Sequence, residues 1–203
     1  MRRIFFGSLV AAITLSGLTG VARADSDSAG GATTGYATVG YAYQQGGQVD
    51  LEAIAGRLGA RFGSYFGVEG ELGTGIDRHR FIYSPPCSGS ICPLGPVVLM
   101  HARLSNTEAV YAVGFLPIMQ GADLFVRAGY GFSDFSAPSS PYSRNGFSKQ
   151  SFNFGAGGQY FIDGANGIRL DYTREEVTQQ NSFGLEATGK AIDVWSVAYV
   201  RSF

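Results

Sequence analysis

The chain has 203 residues, with 15 Lys and Arg, 16 Asp and Glu, 30 Gly, 11 Tyr, 15 Phe and 2 Cys. A hydrophobic share of 45% excludes a disordered chain, and the absence of a Gly-x-y period excludes collagen. A formal charge of −1 gives no footing for a nucleic-acid partner, and two cysteines exclude a disulfide-dense scaffold or a four-cysteine zinc site.

Arg2 and Arg3 precede an apolar stretch over residues 4–21, followed by Ala22-Arg23-Ala24, the small-x-small pattern of a signal-peptidase site. This predicts a cleaved signal peptide over 1–24 rather than an anchoring helix, because the run is short, contains glycine and lacks a basic stop. Its removal takes away three arginines and no acid, leaving 12 basic against 16 acidic side chains and a charge of −4 over residues 25–203.

From there the chain alternates with period two, an apolar face against a small or polar one. Gly35-Ala37-Val39-Tyr41-Tyr43 lies opposite Tyr36-Thr38-Gly40-Ala42. Over 52–62, Ile54, Leu58, Ala60 and Phe62 face one way and Arg57 and Arg61 the other; Leu51, Ile54, Leu58 and Phe62 also fit a helical stripe, which Gly56 and Gly59 weaken. Phe66-Val68-Gly70-Leu72-Thr74-Ile76 opposes Gly67-Glu69-Glu71-Gly73-Gly75. Segment 107–117 has poor contrast; the expectation is that Ala109, Tyr111, Val113 and Phe115 point outward, leaving Val110 and Leu116 on the other face. Leu124-Val126-Ala128-Tyr130-Phe132 opposes Asp123-Phe125-Arg127-Gly129-Gly131, and Phe152-Phe154-Ala156-Gly158-Tyr160 opposes Ser151-Asn153-Gly155-Gly157-Gln159. Ile168-Leu170-Tyr172 opposes Arg169-Asp171-Thr173. Trp195, Val197, Tyr199 and Phe203 oppose Ser196, Ala198 and Ser202, with Val200 out of pattern.

Eight strands follow, at 34–43, 52–62, 66–77, 107–117, 122–133, 150–162, 166–176 and 191–203. Most exceed the usual length of about 5–6 residues and match the ~9–11 that cross a membrane at a tilt. Tight links at 63–65, 118–121 and 163–165 alternate with longer ones at 44–51, 78–106, 134–149 and 177–190, the rhythm of periplasmic turns and extracellular loops. An open sheet would leave unpaired edges in hydrocarbon, so the sheet must close. The predicted fold is all-β, an eight-stranded antiparallel up-and-down transmembrane β-barrel.

Residues 63–75 (GSYFGVEGELGTG), 111–115 with 124–131 (LFVRAGYG), 155–160 (GAGGQY), 167–172 (GIRLDY) and 199–203 (YVRSF) occur in this order. Together they resemble the small eight-stranded outer-membrane barrels, the OmpA-like and opacity-protein-like "outer membrane protein beta-barrel domain" group. The likeness covers essentially all of residues 25–203, and the expectation is a barrel without a peptidoglycan-binding domain after it. It implies a location in the cell outer membrane, contact with outer-membrane lipids and lipopolysaccharide, and assembly by the barrel-assembly machinery. Tyr199 and the terminal Phe203 resemble the aromatic signal that machinery reads. Arg201 departs from that pattern and is expected to snorkel at the wet rim.

The inward face carries Arg57, Arg61, Arg127 and Arg169 with Glu69, Glu71 and Asp171. A three-residue turn at 63–65 places Arg57 opposite Glu71 and Arg61 diagonal to Glu69. Buried charges need partners, and an eight-stranded barrel is barely wider than its own side chains. An ion-pair plug is expected, with a narrow porin-type channel as the alternative. Inward glycines such as Gly59, Gly67, Gly129 and Gly157 are expected to make room for the long arginines. None forms a nucleotide-binding loop.

In an oxidising compartment Cys87 and Cys92 are expected to form a short loop disulfide. His79 and His101 match no zinc spacing, so no metal or cofactor is expected. A rim hydrolase built on His101, Ser105 and Glu108, with His79 and Asp77 across the loop, is the enzymatic alternative; without a GxSxG elbow the expectation is no catalytic site. Loops 78–106 and 134–149 are where an extracellular ligand would bind. A secreted lipocalin-like binder is the soluble rival, disfavoured by strand length, the lack of an early Gly-x-Trp and the aromatic C-terminus.

Overall fold

The computed structural model describes residues 33–46, 49–77, 79–83, 98–136, 146–181 and 191–203. The expected leader over 1–24 and the cysteine pair Cys87 and Cys92 lie outside these residues.

The described residues form nine antiparallel strands: β1 (Thr33–Gly46), β2 (Val49–Phe62), β3 (Phe66–Gly75), β4 (His79–Tyr83), β5 (Val98–Met119), β6 (Ala122–Ser136), β7 (Gly146–Phe161), β8 (Asn166–Asn181) and β9 (Ala191–Ser202). Eight of them make a closed barrel: β1 pairs with both β2 and β9, and β3 pairs with β5 to complete the circuit. Among the described residues no unpaired edge is left at the level of the wall, as a hydrocarbon surrounding requires. The segment 51–62 is strand throughout, so its helical stripe is not used.

The ninth strand corrects the expected loop at 78–106. β4 pairs with the start of β5, from His79↔Ala102 to Tyr83↔Val98, and prolongs the line of β3 beyond Ile76 and Asp77. β5 therefore begins at Val98 rather than 107 and is 22 residues long. At about 3.4 Å per residue it far exceeds a hydrocarbon core of ~30 Å, tilt included, so the β4–β5 ribbon stands outside the membrane. Its residues do not alternate in polarity, and only backbone pairing reveals it as strand. The other long links also narrow, since β1 and β2 run to Gly46 and from Val49, β6 and β7 to Ser136 and from Gly146, and β8 to Asn181.

The three tight links each turn on a glycine in the left-handed region: Gly63 at φ +64°, Gly121 at +81° and Gly164 at +80°. In the last of them Asp163 Oδ1 accepts the backbone N–H groups of Ala165 (3.0 Å) and Asn166 (2.6 Å), while Oδ2 accepts Asn166 Nδ2 at 2.7 Å. The start of β1 and the end of β9 lie at this same end, where Phe203 N donates to Gly35 O at 2.8 Å.

Outward residues form an apolar belt, with Phe66 71% exposed and Leu72 67% exposed, the surface that meets lipid. On β5 the expected facing is reversed. Tyr111, Val113, Phe115 and Ala109 are buried inside, while Val110 and Leu116 face out. Both faces of β5 are apolar, so hydrophobicity cannot choose between them. Register does: Tyr111 pairs with Glu69 on β3, and Val113 with Arg127 on β6, and paired residues share a face.

Candidate functional site

The lumen is built in layers along the barrel axis. At its centre three arginines meet three carboxylates from β2, β3, β6 and β8. Arg57 Nε lies 2.5 Å from Glu71 Oε2, and its two terminal nitrogens reach Asp171 at 2.9 and 3.3 Å. Arg169 grips Glu69 at 2.6 and 3.2 Å, and Tyr36 OH donates to the same carboxylate at 2.7 Å. Arg127 sits between these pairs, 2.6 Å from Asp171 and 3.6–3.7 Å from Glu71 and Glu69. Its Nε also donates to Thr173 Oγ1 at 3.1 Å. Arg169 is 0% exposed and Glu69 1%. Three positive and three negative charges cancel, which is how a buried set escapes the penalty for an unpaired ion.

Arg61 is not part of this cluster. It reaches Asp123 on β6 at 2.8 and 3.3 Å and the carbonyl of Ser64 at 2.5 Å, close to the tight turns. A further pair joins Lys149 Nζ to Glu175 Oε2 at 2.6 Å, both buried, toward the other end. Sequence reasoning placed Asp123 on the inward face but gave it no partner. Glu175 continues the inward series Arg169, Asp171, Thr173 and was readable by parity. Lys149 was hidden in a supposed loop because β7 was expected to begin at 150.

The inward glycines make room for the neighbouring strand's backbone and for rings. A Cβ on Gly67, Gly129 or Gly157 would first meet the carbonyl oxygen of Ala60, Val110 or Leu170, and beside it the ring of Phe115, Tyr111 or Phe125 respectively. Those rings in turn carry the guanidinium groups of Arg61, Arg127 and Arg169 at 4.5, 4.6 and 3.8 Å from their centroids, a cation–π geometry. A glycine, a ring and an arginine thus stack in sequence three times. Tyr111 and Phe115 can do this only because β5 faces opposite to expectation.

Toward the long-loop end the lumen is crossed by an apolar layer of Ala42, Leu51, Ala53, Leu104, Phe135 and Val194, with Lys149 above the Phe135 ring at 5.5 Å. At the tight-turn end a cavity of about 360 Å³ opens around Arg61, Asp123 and Gln159. Of the residues considered for a rim hydrolase, Ser105 Oγ is 2.7 Å from Ser136 Oγ. Glu108 faces outward between Leu72 and Phe132. The side chains of His79 and His101 lie outside the described set.

A closed barrel with a lipid-facing apolar belt, glycine turns at one end and a charge-filled interior defines an integral outer-membrane protein. The chain belongs to the outer membrane protein beta-barrel domain family, whose profile matches residues 8–203. Its fold is similar to Ail, the attachment invasion locus protein of Yersinia pestis, at a TM-score of 0.54 and 16% identity over 84% of this chain and 99% of Ail. It is similar as well to the N-terminal β-barrel domain of Pseudomonas aeruginosa OprF, at 0.55 and 16% over 86% and 99% of the two chains. Neisserial surface protein A follows at 0.51 and 9%, over 86% and 98%. No curated protein matches in sequence. At these identities the likenesses establish the fold.

Proposed function

We propose that this protein is a closed-lumen outer-membrane barrel with a structural or surface-interaction role, its contacts made by the regions around 78–106 and 134–149. The observation that carries this reading is the lumen itself: Arg57, Arg127 and Arg169 neutralised by Glu69, Glu71 and Asp171, below an apolar layer. A path for ions would have to break pairs worth several kcal/mol when one partner is lost. The β4–β5 ribbon beyond the membrane supports a role at the surface, since specificity on a rigid barrel resides in what projects from it. Lipopolysaccharide, as the outer-leaflet lipid, is the neighbour of that projection. A leader over 1–24 and a terminal assembly signal at Tyr199 and Phe203 belong to the same reading; both aromatic side chains face outward, at 45% and 56% exposure.

The test is planar-bilayer recording on refolded protein, beside loop replacement. The closed-barrel reading expects no steady conductance from the native chain, and loss of surface phenotype when 78–106 or 134–149 is exchanged while the barrel still shifts on heating in a gel. Reproducible single-channel steps altered by Arg57→Ala or Glu71→Gln would establish the narrow channel instead.

A further inference from the structure

We infer that the outward face of β8, β9 and β1, at the long-loop end, is a docking surface for the neutral sugar headgroup of an outer-leaflet glycolipid. The inference goes beyond the closed-lumen reading and needs only the barrel's place in the outer membrane. Two rows of paired residues make the surface. In one, Tyr172 and Tyr43 flank Trp195 on adjacent strands. In the next, two positions nearer the long loops, Arg174 and Gln45 flank Asp193 in the same way. On the hydrocarbon side of the rings the row is Leu170, Val197 and Tyr41. The passage from apolar through aromatic to charged within three rows sets this face at the boundary between hydrocarbon and headgroups.

The aromatic row is a platform. Trp195, the only tryptophan of the chain, is 59% exposed, and its ring centroid lies 4.8 Å from that of Tyr172. Such faces take the C–H-rich side of a pyranose ring. The polar row beside them has hydrogen-bonding capacity to spare. Asp193 receives Tyr172 OH at 2.6 Å and Arg174 Nη1 at 3.4 Å, both on Oδ1. Among the described residues its Oδ2, Arg174 Nη2 and the exposed Gln45 amide have no hydrogen-bond partner. An acceptor, a donor and an amide beside a ring platform complement vicinal hydroxyls. The aromatic belt is not uniform in this respect. On β6 and β7, toward the same end, Tyr130 OH and the Gln150 amide are already bonded to each other at 2.7 Å.

Charge selects the part of the lipid. Four acids on this face, Asp50, Glu52, Glu176 and Asp193, against one base, Arg174, leave it at −3, which repels a phosphate. Nor do the carboxylates gather on a cation. Asp50 and Glu52 lie beside the hydroxyls of Tyr43 and Tyr41, Asp193 is held by Tyr172 and Arg174, and among the described residues no three ligating groups converge. What fits is neutral, hydroxyl-rich and at the membrane surface. In a lipid that is a sugar headgroup.

The experiment places refolded protein in phosphatidylcholine nanodiscs and follows the emission of Trp195, which no other tryptophan obscures. The probe is diglucosyl diacylglycerol, a sugar lipid without phosphate; phosphatidic acid and plain diacylglycerol are the comparison lipids. A saturable change is expected with the sugar lipid and with neither of the others. Asp193→Ala and Gln45→Ala, both on the outward face, should each weaken the apparent affinity about threefold to tenfold. Glu108→Ala, outward on β5 and away from the platform, should leave it unchanged. The heat shift in a gel verifies folding of each variant, and Gln45→Ala decides alone if Asp193→Ala does not fold. No saturable response to the sugar lipid, an equal response to phosphatidic acid, unchanged affinity in the folded platform variants, or an equal loss in Glu108→Ala would overturn the inference.

Discussion

Arg57 on β2 and Asp171 on β8 lie 114 positions apart in the chain and meet inside the barrel through two hydrogen bonds, of 2.9 and 3.3 Å. Their strands are not neighbours, since β1 and β9 separate them in the sheet order. The contact therefore spans the lumen rather than running along the wall. Removing one partner strands a buried charge, whereas removing both does not.

Asp171→Asn should consequently destabilise the barrel by about 3–5 kcal/mol, since Asp171 answers Arg57, Arg127 and Arg169 at once. Urea unfolding followed by gel mobility measures it. The Arg57→Met/Asp171→Leu double variant should lose less than the two single changes combined, and strict additivity would contradict a direct pair.

The exposed pair of Arg174 and Asp193, at 3.4 Å, offers the contrast. Arg174→Ala should leave stability almost unchanged, and any small loss should shrink further in high salt. The central cluster, shielded from solvent, should be almost insensitive to salt. Denaturant midpoints at low and high ionic strength separate the two cases.

Glycine positions should divide by what occupies the space beside them. Gly129→Ala drives a methyl group into the Val110 carbonyl and the Tyr111 ring and should cost about 1–3 kcal/mol. Gly70→Ala, outward with nothing within 4 Å, should be neutral or stabilising by about 0.4–1 kcal/mol. Gly63→Ala has equal space, yet its φ of +64° should cost about 1–2 kcal/mol. Refolding yield and unfolding midpoint rank the three.

The turn at Asp163 should show acid sensitivity. Hydrogen bonds from the Asn166 side chain and from the backbone amides of Asn166 and Ala165 hold this exposed carboxyl below the usual range. A carboxyl with a lowered folded pKa contributes stability that is complete above its unfolded value of about 3.9 and is lost as pH falls through the lowered value. The stability gap between the native chain and Asp163→Ala should thus be constant near neutrality and close in strong acid. A gap that widens on acidification would refute the assignment.

Deleting Phe203 should slow assembly more than it lowers final stability. The residue contributes a backbone hydrogen bond to Gly35 and an exposed ring rather than a buried one. The fraction of newly made chains reaching the heat-shifted form in outer-membrane fractions, against that from in vitro refolding, distinguishes the two effects.

Much of this architecture is legible in the chain. A run such as Phe66 to Ile76, with carboxylates and glycines on alternate positions, can bury its polar face only by turning it toward a lumen, and its length suits a membrane. The glycine links and the pairing of Arg57 with Glu71 follow from the same arithmetic of period two. What period two cannot do is choose a face when both are apolar, as on β5, or detect a strand without alternation, as in β4. Nor can it say which charges meet across the barrel: Arg61 found Asp123 rather than the Glu69 diagonal to it. Local sequence determined strand, turn and outer surface because those depend on neighbours in the chain. Closure of the sheet decided the facing of β5, the rings beneath the arginines and the partner of each charge, because these depend on strands that only the closed barrel brings together.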